Sequence, residues 1–286
     1  MTLELNTEKE TIAFLKETDR PLILSCSGGK DSTAVGLLLK THNIPFTPVF
    51  CDTGWEHPLT YKYVDTLSDI LGVEVVKLQN EKLNYQDHAY GMESAVLQKK
   101  MFPNGRLKWC TNELKLVSYR TYAVEVFLKN RKFPINITGI RRGESIRRST
   151  FGYVEEQDEA TQIRPILEWS EEDVIYIHQK NGVSPNPLYL KGSSRVGCWP
   201  CIYSNKADIR NMARIDPDRI DYLENLEKRV SEERGSQATF FKKGNIRQAV
   251  SWAKGKQDGL QELFTDEQLG RDEIGCFRWG LCETND

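Results

Sequence analysis

The stretch Leu22-Ile23-Leu24-Ser25-Cys26-Ser27-Gly28-Gly29-Lys30-Asp31-Ser32-Thr33-Ala34 decides the fold. Its apolar start, Leu22–Cys26, predicts a short buried strand, and the run Val35, Leu37, Leu38 and Leu39 predicts a helix over 32–42. Between them, two adjacent glycines permit a tight turn and a close backbone approach to a ligand. A strand, a glycine turn and a helix start bring several N–H groups to one helix N-terminus, which favours an anion. Lys30 adds a mobile positive charge, so the corner suits phosphate. It is not a Walker loop, whose first glycine stands further from its Gly-Lys pair. An ordinary strand-turn-helix corner is the plainer alternative.

On either side of this corner, short apolar runs alternate with amphipathic ones. Strands are expected over 46–51, 73–78 and 135–139, and helices over Pro58–Leu71 and 113–129, with an irregular stretch through Gly91 and Pro103-Asn104-Gly105. This rhythm predicts an α/β fold with a doubly wound, mostly parallel sheet and helices on both faces. Ligands of such sheets bind beyond the carboxyl ends of the strands. The polar segments 27–32, 52–57 and 140–148 are therefore expected to converge on one crevice. After about residue 204 the strand signals stop, and 207–214, 218–233 and 246–256 read as charged helices. The expected organisation is a nucleotide-binding domain over 1–204 and a C-terminal helical appendage over 205–286 with a cysteine-bearing tail.

The 286 residues are 39% apolar and 28% charged, enough for a packed core in a soluble chain. A net charge of −2 removes any global attraction to nucleic acid, so a polyanion would need a local patch. The polar, acidic start is unlike a signal peptide, and no apolar run is long enough to span a membrane, so a cytoplasmic protein with no membrane partner is expected. Seven cysteines, at 26, 51, 110, 198, 201, 276 and 282, are odd in number and unevenly placed. That pattern does not suit a secreted disulfide framework and favours metal or redox chemistry.

Three further segments carry chemistry. In Cys51-Asp52-Thr53-Gly54-Trp55-Glu56-His57-Pro58, Asp52 and Glu56 would reach phosphates only through Mg²⁺, or would bond ribose hydroxyls. The alternative is that Thr53 or Glu56 merely caps the next helix. Gly139-Ile140-Arg141-Arg142-Gly143-Glu144-Ser145-Ile146-Arg147-Arg148 gathers forked guanidinium groups suited to phosphate or sulfate. A solvated basic loop is the bland reading. Cys198-x-x-Cys201 can offer two thiolates to one metal, and Lys108 before Cys110 favours a thiolate there. Cys26 and Cys51, at strand ends, read as small buried apolar residues. Lys242-Lys243-Gly244 through Arg247, beside Phe240 and Phe241, would touch a nucleic-acid backbone, unless it is a solvated helix start.

Ser27-Gly28-Gly29-Lys30-Asp31-Ser32 resembles the Ser-Gly-Gly-x-Asp-Ser loop of the PP-loop ATP pyrophosphatases, which split ATP between its α and β phosphates and pass AMP to an acceptor. The 52–58 segment resembles the Asp-Thr-Gly-x-Glu-x-Pro stretch of the phosphoadenosine phosphosulfate (PAPS) reductase family. Arg141, Arg142, Ser145 and Arg148 match that family's Gly-x-Arg-Arg-x-x-Ser-x-x-Arg run, with Arg147 extra. Pro165-Ile166-Leu167, Trp169, Asp173-Val174, Asn186-Pro187-Leu188-Tyr189 and Arg195-Val196-Gly197-Cys198-Trp199-Pro200-Cys201 recur in its members in this order. The likeness covers about residues 20–205 and implies an adenine nucleotide alpha hydrolase-like fold.

Family members with such a Cys-x-x-Cys pair use it, with an upstream cysteine site, to hold a 4Fe–4S cluster. The upstream Cys-Cys of the assimilatory reductases is Trp109-Cys110 here, so one ligand would come from the tail. The implied set is Cys110, Cys198, Cys201 and Cys282, with Cys276 as the spare nucleophile. Cys276 and Cys282 are interchangeable on this reading, and zinc or free thiols are alternatives to the cluster. Gly280-Leu281-Cys282-Glu283 departs from the reductases' C-terminal Glu-Cys-Gly-Leu-His, which weakens transfer of their nucleophile. An intact loop beside these cysteines resembles the ATP-dependent sulfur-inserting branch, such as DNA phosphorothioation ATPases. ATP, Mg²⁺, catalytic Lys30 and Asp31, and a loop of Ser27, Gly28, Gly29 and Ser32 assisted by Asp52 and the arginines are then implied. Sulfonucleotide reduction and a non-catalytic nucleotide-binding subunit are the alternatives. The acceptor (nucleic acid among the candidates), the sulfur donor and self-association are left open.

Overall fold

In a computed structural model, described for residues 3–83, 90–157, 160–255 and 279, the chain has a mixed α/β fold built on a six-stranded sheet. In chain order the main elements are α1 (Glu8–Glu17), β1 (Leu22–Cys26), α2 (Lys30–Thr41), β2 (Thr47–Cys51), α3 (Pro58–Leu71), β3 (Val76–Leu78) and α4 (Met92–Lys99). There follow α5 (Val117–Asn130), β4 (Ile135–Ile137), β5 (Val154–Gln157), β6 (Ala160–Ile163), α6 (Glu171–Lys180), α7 (Lys206–Ile215), α8 (Asp218–Arg234) and α9 (Ile246–Lys254). Contacts divide the chain into two compact units that interleave in sequence. One comprises 1–51, 59–78 and 118–186, the other 52–58, 79–117 and 187–286.

The first unit holds the sheet, in the order β3-β2-β1-β4-β6-β5. All neighbours are parallel except β5 and β6, which form an antiparallel hairpin. β1 pairs with β2 in the register Ser25↔Val49 and with β4 in the register Leu22↔Ile135. Sequence order therefore reverses on the two sides of β1, and the carboxyl ends of β1 and β4 form the topological switch point. The parallel strands are buried on both faces and accordingly read as apolar runs, Leu22-Ile23-Leu24 and Ile135 with Ile137. Against them pack Val35, Leu37 and Leu39 of α2, Val64 and Leu67 of α3, and Val174 and Ile177 of α6.

The second unit is built on helices and aromatic side chains. Trp55 is buried, with Phe240 stacked on it at 5.8 Å between ring centroids and the Arg219 guanidinium 4.1 Å from its ring. Glu227 of α8, also buried, accepts the N–H groups of Phe240 (2.8 Å) and Ile246 (2.9 Å), and so fixes the start of α9. Residue 204, where the sequence changes character, lies inside this unit.

The expected elements form, with differences at their ends. β3 is an edge strand pairing only with β2, so just Val76–Leu78 of the expected 73–78 run finds ladder partners. The helix expected over 113–129 begins with a π turn, Asn112–Leu116, before α5. Helices α1 and α6 and the β5–β6 hairpin are not among the expected elements, and α4 forms within the stretch after Gly91 that is expected to be irregular. Among the described residues no helix is long and apolar enough to cross a membrane.

Candidate functional site

The Ser27–Ser32 loop closes the carboxyl end of β1 and runs into α2, with Gly29 as the helix N-cap in extended conformation. Gly28 takes φ +70°, and a Cβ there would stand 3.0 Å from both Thr60 Cγ2 and Val64 Cγ2. Left-handed backbone and close packing together demand glycine. Side-chain hydroxyls stitch the turn: Ser27 N donates to Ser32 Oγ (3.3 Å), Gly29 N to Ser27 Oγ (3.3 Å), and Ser32 and Thr33 hydroxyls donate to Gly29 O (each 3.1 Å).

Two side chains from far along the sequence hold the loop's carbonyls. Asn186 is fully buried, and its amide donates to Gly28 O at 3.0 Å and Thr60 Oγ1 at 3.3 Å. His178, buried in α6, bonds Lys30 O through Nε2 at 2.9 Å. A carbonyl only accepts, so Nε2 must carry the proton. Burial lowers the pKa of His178 and keeps the ring neutral at physiological pH, although its bonds to Lys30 and Val183 backbone groups act the other way. In the sequence Asn186 stands out only as part of a motif, and His178 does not stand out at all. Neither has a local sequence signal, since their partners lie about 150 residues away in chain position.

Lys30 is buried at 6% exposure, and its ammonium stands 3.4 Å from Glu171 Oε1 and 3.7 Å from Asp31 Oδ2. Arg141, at the switch point, donates through Nε to Asp31 Oδ1 at 2.6 Å. The loop and the arginine segment thus meet, as expected from the strand order. Gly139 makes this approach possible: a Cβ there would lie 2.7 Å from the Asp31 carbonyl carbon and oxygen. The other predicted arginines are turned elsewhere. Arg142 bonds Phe151 O at 2.9 Å and pairs with Glu168, and Arg148 pairs with Glu144, four residues back. Ser145 is exposed and accepts from Arg148 N at 3.3 Å.

Asp52 falls in the second unit. It is buried, and it accepts from Gly54 N (2.9 Å), Gln79 Nε2 (2.9 Å) and Tyr90 Oη (2.6 Å). Glu56 accepts from the Thr53 hydroxyl at 2.7 Å and from the Thr53 and Trp55 N–H groups, each at 3.3 Å. These carboxylates brace the 52–58 turn. The turn is crossed closely by Gly91, where a Cβ would meet Thr53 O at 2.2 Å.

The same unit contains Cys110, Cys198 and Cys201. Residues 198–201 are tied to the 52–58 turn by an antiparallel bridge between Glu56 and Cys198 and by Trp55 Nε1 donating to Pro200 O at 3.0 Å. Burial pushes the Cys198 thiol up to about 11; Lys115 opposes this, while Glu56, Cys201 and Cys110 add to it. Cys110 is also raised, mainly by burial, which corrects the expectation that Lys108 would favour its thiolate. The Lys108 ammonium lies over the Tyr203 ring, and Lys115 is the cation that acts on Cys110. The three thiols are within electrostatic reach of one another, but among the described residues no three His, Cys, Asp or Glu side chains form a metal-holding group. Cys276 and Cys282 lie outside the described residues.

A glycine turn carrying a buried lysine thus stands at the switch point of a mostly parallel α/β sheet, an arrangement of the PP-loop kind. The chain belongs to the phosphoadenosine phosphosulfate reductase domain family, whose model matches residues 21–204. It is 31% identical over 261 residues to an uncharacterized 37.8 kDa protein of Escherichia phage 186, covering 77% of this chain and 78% of that one. A phosphoadenosine 5'-phosphosulfate reductase of Vibrio vulnificus strain YJ016 is 25% identical over 203 residues, 68% of this chain and 72% of the enzyme. In fold it is similar to the crystal structure of a PAPS reductase from Candida auris, with a TM-score of 0.52, 18% identity, and coverage of 68% of this chain and 89% of that one.

Proposed function

We propose that the chain is an ATP-using enzyme that activates an acceptor by adenylation and couples this to sulfur transfer. An acceptor oxygen attacks the α phosphorus of ATP, the α–β bridge bond breaks, and pyrophosphate leaves. A sulfur nucleophile then attacks the activated acceptor, and AMP departs with the oxygen. The observation that carries this reading is the complete Ser27–Ser32 loop, with Lys30 and Arg141 gathered around Asp31 at the switch point. Lys30 would neutralise charge building on the leaving pyrophosphate, and the ordered loop amides would hold its oxygens. Mg²⁺ usually enters such sites on substrate phosphates with one or two carboxylates. Asp31, whose Oδ1 is already held by Arg141, is the residue that would receive it.

Incubation with ATP and chromatographic detection of AMP and pyrophosphate tests the first step. If ADP and phosphate appear instead, the reading fails. Sulfonucleotide reduction is the second reading, favoured by the likeness to the Vibrio vulnificus enzyme. It predicts sulfite from PAPS in the presence of a thiol reductant and no cleavage of ATP. A 4Fe–4S cluster, or zinc, held by Cys110, Cys198 and Cys201 with a tail cysteine is a further part of the proposal, supported only by the gathering of three thiols in one unit. Iron, sulfide and zinc analysis of anaerobically prepared protein decides it. Residues 1–204 and 205–286 are retained as the proposed division between nucleotide-binding and accessory parts.

A further inference from the structure

We propose that the α7–α9 face of the second unit binds single-stranded nucleic acid, with Trp252 as the base-stacking platform. This names an acceptor class for the function proposed above, and rests on that reading only in making the strand a substrate.

Charge distribution is the first observation. Residues 235–257 contain Lys242, Lys243, Arg247, Lys254 and Lys256 and no Asp or Glu, in a chain whose net charge is −2. Helix α7 carries Lys206, Arg210 and Arg214, four residues apart, on one side of the helix at steps of ~6 Å. Asp208, the one acid of α7, is turned to the N–H of Asn205 and to Arg195. Arg247 is committed to Asp221 and Glu224. Arg214 is likewise held, donating to Lys191 O at 2.7 Å and to Asn211 Oδ1 at 2.9 Å, and α7 and α9 pack against each other.

Trp252 supplies the second observation. The residue is 37% exposed, and its ring lies between a lysine of α7 and one just before α9, with Lys206 Nζ 4.7 Å and Lys243 Nζ 5.0 Å from its centroid. Phe240 and Phe241, the aromatics the sequence placed beside this stretch, are buried instead. Long, exposed lysines can swing from the ring to phosphates while a base covers the freed indole face. Stacking needs an unpaired base, because a duplex hides its base faces, and this favours a single strand over a double one.

The test uses the full chain and a fluorescein-labelled oligothymidylate, read by anisotropy over a range of KCl concentrations. Changing Lys206 and Lys243 together to Ala should weaken binding and reduce the slope of log affinity against log salt by about 1.4, the loss of two single-strand phosphate contacts. Trp252→Ala should weaken binding about 5- to 150-fold with the slope unchanged. Removing equal charge from α1 with Lys9→Ala and Lys16→Ala should leave both quantities as they were. No binding by the parent protein at low salt, an α1 pair as damaging as the α7–α9 pair, or equal affinity for a duplex or for anionic vesicles would overturn the proposal. Pyrophosphate release from ATP, measured on the same variants, keeps the two claims apart. If release persists in Trp252→Ala while oligonucleotide binding is lost, both stand. If release is absent from the parent while the strand still binds, only the ATP reading falls.

Discussion

Gly139 shows how much a single position decides. A methyl group there would collide with the Asp31 carbonyl, which is backbone and cannot turn aside. Gly139→Ala should therefore cost about 1–3 kcal/mol, seen as a lower denaturation midpoint, and should loosen nucleotide binding further by displacing the first turn of α2. His178 offers a pH-dependent check. Its pKa is lowered in the folded chain, so the unfolded chain binds more protons below the ordinary value of about 6.5. Its contribution to stability is full above that pH and declines as pH falls through the folded value. Thermal unfolding of His178→Gln, which keeps a side-chain N–H donor but does not titrate, should lack this component of acid sensitivity. His178→Leu should in addition raise the KM for ATP, and an unchanged KM would remove His178 from the loop's support.

At the scale of elements, the chain uses buried polar side chains as ties between segments distant in sequence. Asn186 links the end of the first unit to Gly28 in the Ser27–Ser32 loop and to Thr60 in α3. Asn186→Ala leaves the Gly28 carbonyl without this buried donor, so a loss of about 1–3 kcal/mol in urea unfolding is expected, with nucleotide affinity falling in step. Glu227 plays a comparable part for α9, receiving two N–H groups at its entry. Glu227→Leu would strand both amides at about 1–3 kcal/mol each, whereas Glu227→Gln keeps an acceptor oxygen and should cost much less. Circular dichroism melts of the two variants give the comparison.

For the whole molecule the decisive tests concern chemistry. Lys30→Ala should slow pyrophosphate release by about a hundredfold or more, the scale seen when one preorganised electrostatic contact to a developing charge is removed. Turnover equal to that of the parent would sink the proposed role of the loop. The two compact units interleave in sequence, each drawing on three segments of chain. Experiments on activity and metal content accordingly belong on the complete chain.

Much of the sheet-bearing unit was legible in the sequence. Leu22–Cys26, the Gly28-Gly29 turn and the helix that follows are local patterns, because strand burial, left-handed turns and helix periodicity are imposed within a few residues. The family, too, could be read from contiguous motifs. Partnerships across the chain could not be read this way. That Asn186 and His178 hold the loop, that Asp52 is enclosed by Gln79 and Tyr90, and that Trp252 is exposed beside the basic stretch while Phe240 is buried all depend on which segments are brought together. Burial and hydrogen-bond pairing are properties of the packed chain, and only the tertiary structure assigns them.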